Sequence, residues 1–111
     1  MEISEKSYKR STLIKLNGRI DMESSPELEK YLNKTFKKGQ YKLVLDLSGV
    51  DYIYSAGLRV LVSSLKTARR YNRGDIRLAS LSPRLKEAFK LVGFHQLFQT
   101  YDQVEDAVGS F

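Results

Sequence analysis

A single α/β domain, built on a mixed β-sheet of about five strands with about four flanking helices, is the fold this 111-residue sequence predicts. Three observations carry it. Apolar residues recur at helical spacing in four stretches, short apolar or alternating runs lie between them, and glycine or serine-proline pairs punctuate the joins. Repeated strand-helix units need crossover connections, which pair strands in parallel and lay helices on the sheet. The length suits one domain over residues 1–111 and is too short for two.

The elements follow in order. Residues 2–8 carry a weak strand signal, and Lys9-Arg10-Ser11 turns them into a hairpin with "LIKLNGRID", a strand that ends in a turn or bulge at Asn17-Gly18. From Ser24 onward Leu28, Tyr31, Leu32, Thr35 and Phe36 share one helical face, with Gly39 as the stop. "YKLVLDLSGV" packs Leu43, Val44, Leu45 and Leu47 into one run, the pattern of a central strand covered on both faces and ending near Leu47. The segment "SGVDYIY" then reads as a loop into a second helix from about Ser55 to Tyr71, with Leu58, Leu61, Val62, Leu65 and Ala68 inward and Arg59, Ser63, Lys66 and Arg70 outward.

"DIRLAS" alternates as a strand, and "SPRLKEAFKLVGF" is a helix burying Leu85, Ala88, Phe89 and Val92, closed by Gly93 with Phe94 as the apolar contact beyond the cap. "QLFQTY" is a short final strand, and Asp102 with Glu105 forms a capping box for a last helix carrying Val104 and Val108. Both prolines follow serine, at Ser25-Pro26 and Ser82-Pro83. Each pair reads as a helix start, with the serine as cap.

Composition narrows the chemistry. With no cysteine, disulfides, thiolate catalysis and cysteine-held metal are excluded, and the one histidine, His95, cannot build a histidine metal cluster. The start "MEISEKSYKR" lacks the apolar core of a signal peptide, and no run approaches the roughly 18 apolar residues of a membrane span. A cytoplasmic protein is expected. The net charge of +6 raises nucleic acid as a partner. Its distribution argues against that: the basic residues fall in small groups, Lys9-Arg10, Lys37-Lys38 and Arg69-Arg70 with Arg73, and the last two groups sit near helix C-termini, where the dipole favours cations. Gly18, Gly39, Gly49, Gly57, Gly74 and Gly93 are scattered singly near element boundaries, so no glycine-rich nucleotide loop exists.

Ligands of such sheets collect at the carboxyl ends of the parallel strands, and "YIYSAGLRVLV" enters a helix there. Two roles are open to Ser55. As an N-cap its oxygen accepts a bond from an amide near Gly57 or Leu58. As a phosphoacceptor it holds a dianion against unpaired N–H groups and the positive end of the helix dipole, with Gly57 leaving the approach uncrowded.

Four blocks, "LNGRID" with "SSPELEKYL", "LVLDLSGVDYIYSAGLRVLV", "IRLASLSPRLKEAFKLVGFHQLF" and "DQVEDAV", together resemble the STAS domain family, in particular bacterial anti-sigma factor antagonists. The resemblance runs from about Leu13 to Val108. It implies a regulatory STAS-type domain rather than an enzyme, without cofactor or metal. It also implies a partner, an anti-sigma factor with serine kinase activity, which phosphorylates a serine matching Ser55 and is bound by the unmodified antagonist. Asp21 matches an acidic family position beside the switch loop, where it positions the kinase or its nucleotide; its other reading is a turn or cap before Ser24. Ala56 and Gly57 complete the switch motif. Arg59 and Ser63 on the exposed side are either partner contacts or solvated residues.

One departure stands out: Tyr54 occupies the place where the family commonly has an acid before the serine. Either Tyr54 simply covers the loop or it alters kinase recognition. It leaves a second reading open, a STAS scaffold that docks into a stressosome-like or transport assembly without a phosphate cycle.

Overall fold

The computed structural model describes residues 1–71 and 73–111. The chain runs β1 (Glu2–Ser7), β2 (Thr12–Ile20), α1 (Ser25–Lys37), β3 (Lys42–Ile53), α2 (Ser55–Arg70), β4 (Asp75–Ala79), α3 (Pro83–Leu91), a 3₁₀ turn (Phe94–Gln96), β5 (Thr100–Tyr101) and α4 (Val104–Gly109). One sheet holds the strands in chain order, with β1 antiparallel to β2 and every later pair parallel. This is the mixed five-stranded sheet that the strand-helix alternation predicts, with β3 in the middle.

Side chains alternate across a strand, so β3 serves two cores. Leu43, Leu45 and Leu47 join Ile14, Leu16 and Ile20 of β2 beneath Leu28, Leu32 and Phe36 of α1, Leu61 and Leu65 of α2, and Leu85 and Phe89 of α3. Val44 points the other way, into a small cluster with Ala79 and Ala107 of α4. The covering is therefore lopsided, with three helices on one face and the short α4 on the other.

Several local expectations are corrected. The segment 48–53 is strand: β3 continues past Leu47 to Ile53, because β2 pairs with it as far as Ile20 through two register shifts, each with an extra residue in β3. Gly49 thus lies inside a strand, where a Cβ would come 1.7 Å from the Asn17 side-chain oxygen. Ser25 is the first residue of α1, and the cap position belongs to Ser24, whose side chain makes no cap bond. Ser82 does cap α3, accepting from the Leu85 N–H at 3.2 Å. The capping box at α4 is absent. Gln103 is the cap residue there, and Asp102 instead pairs with Lys86 at 2.9 Å.

Burial differs in detail too. Val60 is buried in α2, whereas Leu58 and Val62 are half-buried. Tyr31 and Ala88 are half-buried as well, and Val92 is exposed, since the chain turns away at Gly93 (φ 77°). Phe94 packs edge-on against Phe89 at 6.2 Å, supplying the expected contact after that turn.

Candidate functional site

The carboxyl ends of β2 and β3 meet the start of α2. Ile20 pairs with Ile53, and the Tyr54 N–H donates to the Ile20 carbonyl at 2.8 Å, so Asp21 and Tyr54 leave the sheet side by side. Tyr54 is the cap residue of α2 in extended conformation, and its carbonyl accepts from the Leu58 N–H at 3.0 Å. Ser55 is therefore the first helical residue rather than the N-cap, and no side chain caps this end. The helix can stand without one. Burying Leu61 and Leu65 contributes about 1.5–3 kcal/mol each, against about 1 kcal/mol for a cap. Ser55 is left exposed beside first-turn amides that have no intrahelical acceptor, in a turn without any acidic residue.

Gly57 sets how closely this turn approaches the sheet. A Cβ there would lie 2.5 Å from Ile20 Cγ2 and 2.9 Å from Ile53 Cγ2. Only a missing side chain lets the helix start seat on the two strand ends. The glycine thus serves helix packing as well as leaving the approach to Ser55 open.

Asp21 forms a turn. Its Oδ1 accepts from the N–H groups of Glu23 and Ser24, both at 3.0 Å, and the Ser24 hydroxyl donates to the Arg19 carbonyl while accepting from the Asp21 N–H. The Ser24 backbone bond, more than any other group, holds the Asp21 carboxyl below its ordinary pKa, with the Ser24 hydroxyl, the Glu23 N–H and Arg19 adding to it. The turn reading is thus observed, beside Tyr54 and the start of α2.

Ala56, Arg59 and Ser63 line one side of a groove of about 330 Å³, with Met22, Pro26 and Glu29 opposite. Met22 is 80% exposed, a large apolar side chain that its position between a strand end and α1 did not single out. Tyr54, the residue before Ser55, sets its ring nearly perpendicular to Tyr52 at 5.0 Å, and the Arg84 guanidinium lies over Tyr52 at 4.5 Å. Arg84 comes from α3, so nothing in the local pattern around Ser55 could have pointed to it. His95, exposed on the 3₁₀ turn, makes no side-chain hydrogen bond among the described residues. No acid, histidine or cysteine cluster able to hold a metal occurs among them either.

A family model described as the STAS domain matches residues 2–107, nearly the whole chain. The chain belongs to the STAS domain family. It is 35% identical over 96 residues to BtrV of Bordetella bronchiseptica, named as an anti-sigma factor antagonist, covering 86% of this chain and 82% of that one. It is 28% identical over 92 residues to the anti-sigma-B factor antagonist of Staphylococcus aureus, covering 83% and 84%. The STAS fold itself matches a crystal structure from Thermotoga maritima, also named as an anti-sigma factor antagonist, with a TM-score of 0.91 at 23% identity over 97% of this chain and 92% of that one. Within this STAS domain, Ser55, Tyr54, Gly57 and Asp21 share the carboxyl pole of the sheet, flanked by the Met22 groove and the Tyr52-Arg84 stack. Among the described residues, no helix is long and apolar enough to cross a membrane.

Proposed function

We propose that this STAS domain is an anti-sigma factor antagonist that binds an anti-sigma factor with serine kinase activity and is switched off by phosphorylation of Ser55. The reading is of a binding switch rather than an enzyme, acting in the cytoplasm. One observation carries it: Ser55 is an exposed hydroxyl at the first position of α2, on a turn with uncapped amides and no competing acid. The names of the similar proteins support the partner class.

The chemistry of the switch is local. A phosphoryl group adds about −1.5 to −2 charges, which the helix start stabilises in the free protein. Against a partner surface the same charge loses its water. Burying an unpaired carboxylate costs about 3–5 kcal/mol, so binding falls by roughly two to four orders of magnitude without any refolding. Ala56, Arg59 and Ser63 are the contacts on the groove side, Tyr54 lies on the aromatic side, and Asp21 holds the turn between β2 and α1.

The test is incubation with the cognate kinase and ATP, followed by mapping of the phosphate. Phosphate on Ser55 and loss of kinase binding by Ser55→Asp are expected; phosphate on another residue, or an undiminished complex with Ser55→Asp, refutes the switch. Tyr54 favours a second reading. In place of an acid, the Tyr54-Tyr52-Arg84 surface offers an aromatic docking patch, as suits a STAS scaffold without a phosphate cycle. A stable complex with a non-kinase partner, lost in Tyr54→Ala but kept in Ser55→Asp, decides for it.

A further inference from the structure

At the amino pole of the sheet, at the opposite end of β3 from Ser55, the β1–β2 turn and the α1–β3 connection enclose a cleft of about 420 Å³. Tyr8, Lys9, Arg10 and Ser11 form one wall, and Gln40 and Lys42 stand on the other. No acidic residue lines it, in contrast to the neighbourhood of Asp21, where Glu23 and Glu27 are close. Among the described residues, Lys9, Arg10 and Lys42 enter no ion pair.

The second observation concerns what is buried there. Ser11 is only 7% exposed, and its hydroxyl has no hydrogen-bond partner. The Gln40 side-chain oxygen, also buried, has none either. These are the only two such side-chain atoms among the described residues, and both belong to the walls of this one cleft. A buried polar atom without a partner costs about 1–3 kcal/mol, which a domain tolerates where a ligand will satisfy it.

We propose that this cleft is a binding site for a small phosphate group, free or carried as a monoester. Three cations supply the attraction, and the Ser11 hydroxyl and Gln40 oxygen, enclosed in the walls, turn into the cleft on binding, where the hydroxyl donates to a phosphate oxygen. The Gln40 oxygen needs a donor. Inorganic phosphate carries one at neutral pH and a monoester carries one below its second pKa of about 6, whereas sulfate has none, so the site discriminates between anions of similar shape.

The experiment titrates the full chain with potassium phosphate, glycerol 3-phosphate, sulfate and chloride at matched ionic strength near pH 5.5, where both phosphates carry a donor. Melting temperature and the backbone and Gln40 side-chain amide resonances are followed. Saturable shifts at Ser11 and Gln40 with phosphate or its ester are expected, with sulfate at least tenfold weaker, and the ratio of the two phosphate affinities identifies the source. Arg10→Gln and Lys42→Gln should each weaken binding about tenfold, while Lys66→Gln, on the exposed side of α2, leaves it unchanged. Ser11→Ala should melt no lower than the parent without phosphate and lose most of the phosphate-induced gain. Linear shifts shared with chloride, equal binding of sulfate, or Arg10→Gln indistinguishable from Lys66→Gln would overturn the proposal.

Discussion

Replacing Gly57 by alanine adds one methyl group where the ends of β2 and β3 meet the first turn of α2. The new Cβ would sit 2.5 Å from Ile20 Cγ2, 2.9 Å from Ile53 Cγ2 and 3.2 Å from Ile20 Cβ. Carbon atoms rest at about 3.5–4.0 Å, so the helix start must move outward by roughly 1 Å or the isoleucines must leave their rotamers. Neither isoleucine has room, since Ile20 is fully buried and Ile53 is 2% exposed. Overpacking of this kind costs about 1–3 kcal/mol, and alanine's better helix propensity returns less than about 1 kcal/mol. The net loss of about 1–2 kcal/mol corresponds to a melting temperature lower by roughly 4–10 °C. Thermal and urea denaturation read it, with Gly109→Ala as a control, because nothing lies within 4 Å of a Cβ there. The displacement also carries Ser55 with it, so under the proposed switch its phosphorylation should slow. A Gly57→Ala protein as stable as its parent would refute the argument that this glycine sets the seat of α2.

Other outcomes follow from the same geometry. Ser55→Asp places a carboxylate in a first turn that has no acid, so its urea midpoint should rise by the equivalent of about 0.3–1 kcal/mol even as partner binding is lost; a fall would mean that the serine hydroxyl itself holds the helix start. Tyr31 donates to Glu5, and burial together with that carboxylate raises its pKa from 10.0 to about 12. A tyrosine raised in this way lends stability that is complete below the unfolded value near 10 and is lost as pH rises through about 12. Absorbance titration should show the Tyr31 transition moved to lower pH in Glu5→Gln. Asp75, 6% exposed, bridges Arg69 at 3.0 Å and Arg77 at 3.1 Å, so Asp75→Asn should cost about 1–3 kcal/mol in chemical denaturation; a neutral result would show that both arginines find other partners.

Much of the fold was legible because its causes are local. The stripe Leu28-Leu32-Phe36 and the run Leu43-Val44-Leu45-Leu47 announce a helix and a doubly covered strand through spacing alone. Ser82 caps as its position implied, and Gly93 takes the left-handed conformation that closes α3. The misread positions are those where a distant segment decides. "SGVDY" carries turn residues and reads as a loop, yet β2 pairs with it and holds it extended. Asp102 has the residue type of a cap, yet it meets Lys86, sixteen positions away.

The carboxyl-pole site divides in the same manner. Ser55 and Gly57 were singled out by their place before an apolar helical stripe, and the resemblance added Tyr54 and Asp21. Sequence by itself thus determined the order of elements, the pole at which they converge and the family, because periodicity and motif spacing are properties of neighbouring residues. Tertiary structure alone decided that Ser55 opens α2 uncapped, that Met22 shares a groove with Ala56 while Arg84 stacks on Tyr52, and that Ser11 and Gln40 line one basic cleft with their polar atoms unpaired. Those facts depend on register across the sheet and on packing between segments far apart in the chain, and no local spacing records either.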